Sequence, residues 1–288
     1  MKVIAFGEIL FDVYPDKAVI GGAPFNFCAH LSHLGATAYL VSAVAADDLG
    51  ASAMREMRRH GVRSDLIAID SHPTGRCNVT LDENRVPEYE IRTGVAYDFL
   101  QATDGVIEQI RELDADVFYF NTLIQRSSVS RASLKRILAT CRFRDVFCDV
   151  NLRKGCFDRE SLLCCLTHAT FLKVSEEEAH FLPELGLIPS GKDIFCVPEL
   201  ICKTYPNVRL CILTRGENGS AVFERQTGRL YRSEIPRGIR VVSTVGAGDC
   251  YGATFLLAVL NGATIPEAIR AATERSNVVV AHKEAVPF

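Results

Sequence analysis

Near-continuous apolar runs alternate with helix-like stretches along almost the whole chain, and this alternation narrows the fold more than any other feature of the sequence. The runs are V-I-A-F near the start, A-Y-L-V-S-A-V (38–44), V-F-Y-F-N (117–121), D-V-F-C-D-V (145–150), F-L-K-V (171–174) and V-R-L-C-I-L-T (208–214). Strands that are apolar on both faces belong to a parallel sheet covered on both sides, and the helical stretches between them supply the covers. Residues 24–34 carry Phe27, Leu31 and Leu34 on one helical stripe. Asp47 or Asp48 caps the next helix, Leu49, Ala53 and Met57 face inward, and Gly61 ends it. The 288 residues suffice for one large α/β domain with a sizeable core.

One region breaks the rhythm. Residues 76–81 and 87–92 are two short β-like runs around D-E-N-R, with no room for a helix between them. A hairpin inserted into a parallel α/β chain reads as a lid. We therefore assign 1–12, 22–70 and 95–288 to the main body, and 13–21 with 71–94 to a β lid.

Several function classes drop out. A formal charge of -3 gives no polyanion-binding surface, so nucleic acid is not an expected partner, whereas a small anion needs only a local site. Glu8 and Asp12 interrupt the first apolar run, and the run at 255–260 is too short for a bilayer, so no membrane association and a cytoplasmic location are expected. The eleven cysteines form no C-x-x-C pair and several sit in apolar runs; they read as small core residues rather than zinc ligands. His30 and His33 lie one helical turn apart, but no third metal ligand accompanies them, and packed histidines are the commoner case.

Ligands of open α/β sheets gather at the carboxyl ends of strands, where glycine turns approach phosphate. G-L-I-P-S-G-K-D (186–193) imitates a P-loop for seven positions, but Asp193 stands where Ser or Thr should reach magnesium, and the preceding residues look helical. Gly246, Gly248 and Gly252 miss the dinucleotide spacing by one residue. The stretch S-T-V-G-A-G-D-C-Y-G-A-T-F (243–255) is more informative. Its glycines let backbone N–H groups converge, and the helix that follows adds unpaired donors and partial positive charge. Together they form an anion hole suited to a transferring phosphoryl group. Asp249 beside such a hole makes sense as the base that deprotonates an attacking hydroxyl. A first-turn helix acid would read the same, and the turn alone does not separate the two.

T-V-G-A-G-D-C-Y-G-A-T-F-L resembles the C-terminal signature of the PfkB (ribokinase-like) carbohydrate kinases, and G-G-A-P-F-N-F-C-A-H-L-S-H-L-G resembles their N-terminal one. F-G-E-I-L-F-D, T-G-R-C-N-V-T-L-D-E-N, D-V-N-L-R, L-K-V-S-E-E-E and L-T-R-G-E-N-G-S follow in the family's order, with wording nearest to bacterial fructokinases. The resemblance implies a ribokinase-like α/β fold with a small β lid. It also implies transfer of the ATP γ-phosphoryl group to a sugar hydroxyl with Mg2+, fructose 6-phosphate being the first candidate product. Other acceptors (ribose, a ketogluconate, a nucleoside) and a regulatory homologue that senses sugar remain open.

By residue, the resemblance makes Asp249 the base and Gly246, Ala247 and Gly248 the anion hole. Asp12, Gly22 and Asn26 would hold sugar hydroxyls. Asn151, Arg153 and Lys173 would lie near the nucleotide phosphates, and Glu178 would organise magnesium through water. Thr214, Gly216 and Gly219 would run beneath the nucleotide, and Asn277 would lie near the adenine. Family lids often pair with a second subunit, which is compatible with a homodimer here. The chain also departs from the pattern. Ser243 stands where the family has Asp, and Glu284 where Gly is common, both near the family's monovalent-cation site, so the K+ requirement is open. Ser175 replaces Asn in the magnesium-linked stretch, and Ala45 replaces a Gly, a change expected to be structural.

Overall fold

The computed structural model describes residues 1–81, 87–234 and 238–288. The D-E-N-R tip of the expected hairpin lies outside the described residues. In chain order the strands are β1 (Lys2–Phe6), β2 (Leu10–Val13), β3 (Ala18–Gly21), β4 (Thr37–Ala45), β5 (Ile67–Asp70), β6 (Gly75–Leu81), β7 (Pro87–Ile91), β8 (Val117–Asn121), β9 (Asp145–Asp149), β10 (Phe171–Ser175), β11 (Leu210–Thr214), β12 (Ser220–Glu224) and β13 (Arg229–Ser233). The α-helices are α1 (Ala23–His33), α2 (Asp48–Arg59), α3 (Asp104–Leu113), α4 (Ser128–Thr140), α5 (Arg159–His168), α6 (Glu176–Glu184), α7 (Val197–Thr204), α8 (Ala247–Leu260) and α9 (Ile265–Val280).

Among the described residues the main sheet has nine strands in the order β13-β12-β11-β10-β9-β8-β1-β4-β5. Pairing is parallel from β11 through to β5, and antiparallel only at the β11-β12-β13 edge. Successive strand residues feed opposite faces. Ile4, Phe6, Phe118, Phe120 and Leu172 pack with Ile107, Leu134, Leu162 and Leu182 from α3 to α6. Val3, Ala5, Val117, Tyr119 and Phe171 pack with Phe27, Met57, Phe255 and Ala268 from α1, α2, α8 and α9. A strand that is apolar at every position thus fills two cores at once, which is why these runs lack polar alternation.

Local chemistry sets the helix ends. Asp47 caps α2 by accepting the Gly50 N–H at 2.7 Å, and Gly61, at φ 70°, lets the chain turn back just past the helix. Gly186, in the P-loop imitation, has φ 63° and simply turns the chain after α6. Ala45 closes β4 and donates its N–H to Thr74, a structural place as expected.

A second sheet has the order β3-β2-β6-β7 among the described residues, with β2 and β6 parallel and the outer pairs antiparallel. It starts at Leu10, so Asp12, counted with the main body from sequence, is carried by the small sheet. Each cysteine is a free thiol and nine of the eleven are buried. No described helix is long and apolar enough to cross a membrane.

Candidate active site

The carboxyl ends of neighbouring parallel strands bring polar residues to one edge of the main sheet. Asn121 on β8, Asp149 on β9 and Lys173 on β10 are register partners across three strands. Glu8 follows β1, while Ser175 and Thr214 end β10 and β11 side by side. The start of α8 lies over this edge, with Gly246 as its N-cap in the left-handed region at φ 79°.

Two cavities meet at that helix start. One, of about 750 Å³, takes in Asp12, Gly22, Asn26, Asn151, Arg153 and Asp249. The other, of about 860 Å³, takes in Thr214, Gly216, Gly219, Tyr251, Ser276 and Asn277. Gly248 and Thr244 border both. Gly246 lines the first and Ala247 the second, so the glycine turn forms the partition between them.

Asp249 Oδ2 accepts a hydrogen bond from Asn26 Nδ2 at 2.8 Å. Loss of solvent pushes its pKa up to about 6, and the Asp149 charge adds to this, against the Asn26 hydrogen bond and the Lys173 and Arg153 cations. A carboxylate with that value still ionises near neutrality and is a better proton acceptor than an ordinary aspartate.

Lys173 Nζ sits 3.2 Å from the point where a side chain on Gly248 would begin, so glycine there lets the ammonium sit close against the turn. Burial works to lower the Lys173 pKa, but Asp149 at 2.7 Å, with Glu178 and Asp249 nearby, outweighs it and keeps the group charged. The second oxygen of Asp149, Oδ1, is buried without a hydrogen-bond partner. Such an oxygen costs free energy unless a donor or cation reaches it.

Glu8, read from sequence only as a break in an apolar run, is buried in the floor of the first cavity. It accepts hydrogen bonds from Ala23 N–H at 3.2 Å and Asn121 Nδ2 at 2.9 Å, and burial lifts its pKa to about 7. Gly22, at φ 102°, passes so close that a Cβ would lie 2.6 Å from the Glu8 carbonyl oxygen. This close approach admits only glycine at the N-cap of α1, where Gly22 also lines the cavity.

Asp12 lines the same cavity from the small sheet, its pKa raised by burial against the pull of Arg153. Arg153 is exposed at the rim with no carboxylate in ion-pair range among the described residues. Asn151 is held at φ 44°, which asparagine tolerates better than most residues. Asn151, Arg153 and Lys173, expected from the resemblance near the nucleotide phosphates, line the Asp249 cavity, which the glycine turn also borders.

Glu178 borders neither cavity. Its oxygens accept the N–H groups of Leu152 at 2.7 Å and Ser175 at 2.8 Å. Ser175, the N-cap of α6, accepts the Glu178 N–H in return at 3.2 Å, a reciprocal capping box. Gly219 approaches Ser233 so closely that a Cβ would sit 1.9 Å from its carbonyl oxygen, which explains glycine there. Ser243, at the family's Asp position, accepts the Val245 N–H at 3.2 Å, and Glu284 is exposed. His30 and His33 bond to Ala285 O and His60 Nδ1, each at 3.0 Å, and no group of three or more potential metal ligands occurs among the described residues.

The model of the pfkB family carbohydrate kinases matches residues 11–287. The chain belongs to the pfkB family of carbohydrate kinases. Within that family, Fructokinase-2 of Oryza sativa subsp. japonica is 25% identical over 99% of this chain and 90% of its own length. The fructokinase of Vibrio cholerae O395, solved with fructose, ADP and calcium, superposes with a TM-score of 0.82 at 20% identity, over 99% of this chain and 94% of its own. The aminoimidazole riboside kinase of Salmonella enterica, solved with aminoimidazole riboside and an ATP analogue, gives 0.78 at 19% identity, over 100% and 96%. This pfkB-family chain thus has the ribokinase-like fold, with a mostly parallel sheet covered on both faces.

Proposed function

We propose that the protein transfers the γ-phosphoryl group of ATP to a hydroxyl of a small sugar, fructose at its 6-hydroxyl being the first candidate. The observation that carries this reading is the meeting of two cavities at Gly248, with the Asp249 carboxylate on one side only. The acceptor occupies the Asp249 cavity, where Asp12 and Asn26 hold vicinal hydroxyls. The nucleotide occupies the other, over Thr214, Gly216 and Gly219, with its base towards Asn277. Asp249 takes the proton of the attacking hydroxyl. The N–H groups of the Gly246–Gly248 turn and the Lys173 ammonium take the charge that spreads over the equatorial oxygens. Arg153 neutralises charge at the rim as the phosphorylated product forms.

Magnesium fits this arrangement. The bare Asp149 Oδ1 suits the water shell of a hard cation, and Glu178, whose charge is close enough to be felt at Lys173, can steady that shell from behind. When bound, the ion would neutralise phosphate charge. With so few side-chain oxygens on offer, phosphate and water must supply most of its ligands. The small sheet closes over the sugar and excludes water, which suppresses hydrolysis of ATP.

The solved structure with aminoimidazole riboside supports a second acceptor class, ribosides, on the same fold. A panel of fructose, ribose, 2-keto-3-deoxygluconate and nucleosides in a coupled ADP assay, with and without potassium, decides between them. Fructose giving the highest kcat/KM supports the first reading. Sugar and ATP binding without ADP release from any acceptor would sink the enzymatic one.

A further inference from the structure

The glycine turn is held from behind by α9 and by the residues that follow it. Val242 and Ser243, leading into the turn, both donate their N–H groups to Val280 O at the end of α9, at 2.7 and 3.2 Å. Ser276 on α9 donates to Ala247 O at 3.1 Å. The residues after α9 then double back. Ala285 is buried against Gly246 so tightly that a Cβ added there would lie 2.5 Å from Ala285 Cβ and 2.7 Å from its Cα and carbonyl oxygen. The same carbonyl is 3.0 Å from His30 Nε2. Phe288 packs edge-on to His30, with ring centroids 5.9 Å apart, and lies under the Arg275 guanidinium at 3.8 Å.

From these contacts we propose that residues 281–288 are a positioning element for phosphoryl transfer, with Ala285 as the prop of the glycine turn and His30 as the group that fastens the prop. The inference rests on the kinase reading of that turn and adds to it residues that touch no substrate. His30 lies one helical turn beyond Asn26 on α1, so one helix face holds the base through Asn26 and, through Ala285, the turn that receives the phosphoryl oxygens. Burial drives the His30 pKa down to about 3, so the ring is neutral and Nε2–H can donate to the carbonyl across the working pH range. Its other nitrogen is buried without a partner, a cost that buys no contact with a ligand and leaves fastening as the use of the ring.

Two loss variants and one rescue test the inference. Ala285→Gly removes one methyl from the contact with Gly246, and His30→Met removes the donor at similar volume; His30→Gln restores a donor at the reach of Nε2. The first readout is amide hydrogen exchange of a peptide spanning 242–250, which needs no activity. Both losses should speed exchange there about fivefold, with His30→Gln returning it towards the wild type. The second readout is kinetic: kcat falls roughly 10- to 100-fold while KM for the sugar stays put, because a misplaced turn harms the transition state and not the acceptor site. Should His30→Met fail to fold, Ala285→Gly alone carries the test. Unchanged exchange in the variants overturns the inference, and so does faster exchange with an unchanged kcat. A wild-type protein that phosphorylates no acceptor defeats the kinase reading instead, and the exchange result still decides whether the prop exists.

Discussion

Replacing Asp249 by asparagine should separate activity from stability in opposite directions. The side chain keeps its shape, and its Oδ1 can accept the same hydrogen bond from Asn26 Nδ2, so the local geometry survives. What is lost is the proton acceptor, which costs about 10²- to 10⁴-fold in kcat with little change in sugar KM. What is relieved is a half-buried charge, disfavoured further by the charge of Asp149. The folded-state pKa of about 6 lies above the ordinary 3.8, so the folded protein binds more protons than the unfolded chain between those values. Stability therefore falls as pH rises through that window, by up to about 3 kcal/mol, and the wild type carries the whole cost above pH 6. Asp249→Asn should unfold at a higher urea concentration than the wild type at pH 8, and the gain should shrink as pH is lowered towards 4. Urea titrations at both pH values, run beside the ADP assay, supply the measurement. A variant with near-normal kcat, or one less stable than the wild type at pH 8, would refute the reasoning.

Other perturbations follow from the same geometry. In the wild type, kcat/KM should fall tenfold per unit below an apparent pKa near 6, and Asn26→Ala should move that acid limb to higher pH, since the lost hydrogen bond is one that lowers the Asp249 value; a stationary limb in a pH–rate profile counts against Asp249 as the base. Lys173→Met leaves Asp149 buried and unpaired and should cost about 3–5 kcal/mol in chemical denaturation, together with most of the turnover. Gly246→Ala forces a side chain into φ 79° and onto Ala285, so it should lose at least about 1–2 kcal/mol from backbone strain alone, with kcat falling further than sugar affinity measured by calorimetry.

Much of this was legible in the sequence because it is local. The apolar runs mark the strands, Asp47 marks a cap, and the Gly-Ala-Gly-Asp turn sits where a helix begins. The residues that were missed act over distance. Glu8 looks like a flaw in a strand until Asn121, 113 positions later, is seen to bind it. Asp149 lies inside a recognised segment, yet its importance appears only when Lys173 on the next strand pairs with it. The bond from His30 to Ala285 spans 255 positions and leaves no trace in either neighbourhood. Asp12 was counted with the main body because β2 follows β1 after only three residues and the break between them carries no proline or glycine pair.

That last placement has its own consequence. Asp12 rides on the four-stranded sheet, whereas Asn26 is anchored in a helix of the nine-stranded body. A sugar gripped by both is a cross-brace between two separately built platforms, and its own hydroxyls become the rivets that join them. An acceptor one hydroxyl short would then leave the halves unbraced, a penalty felt in the alignment of the whole assembly and not just in the missing bond.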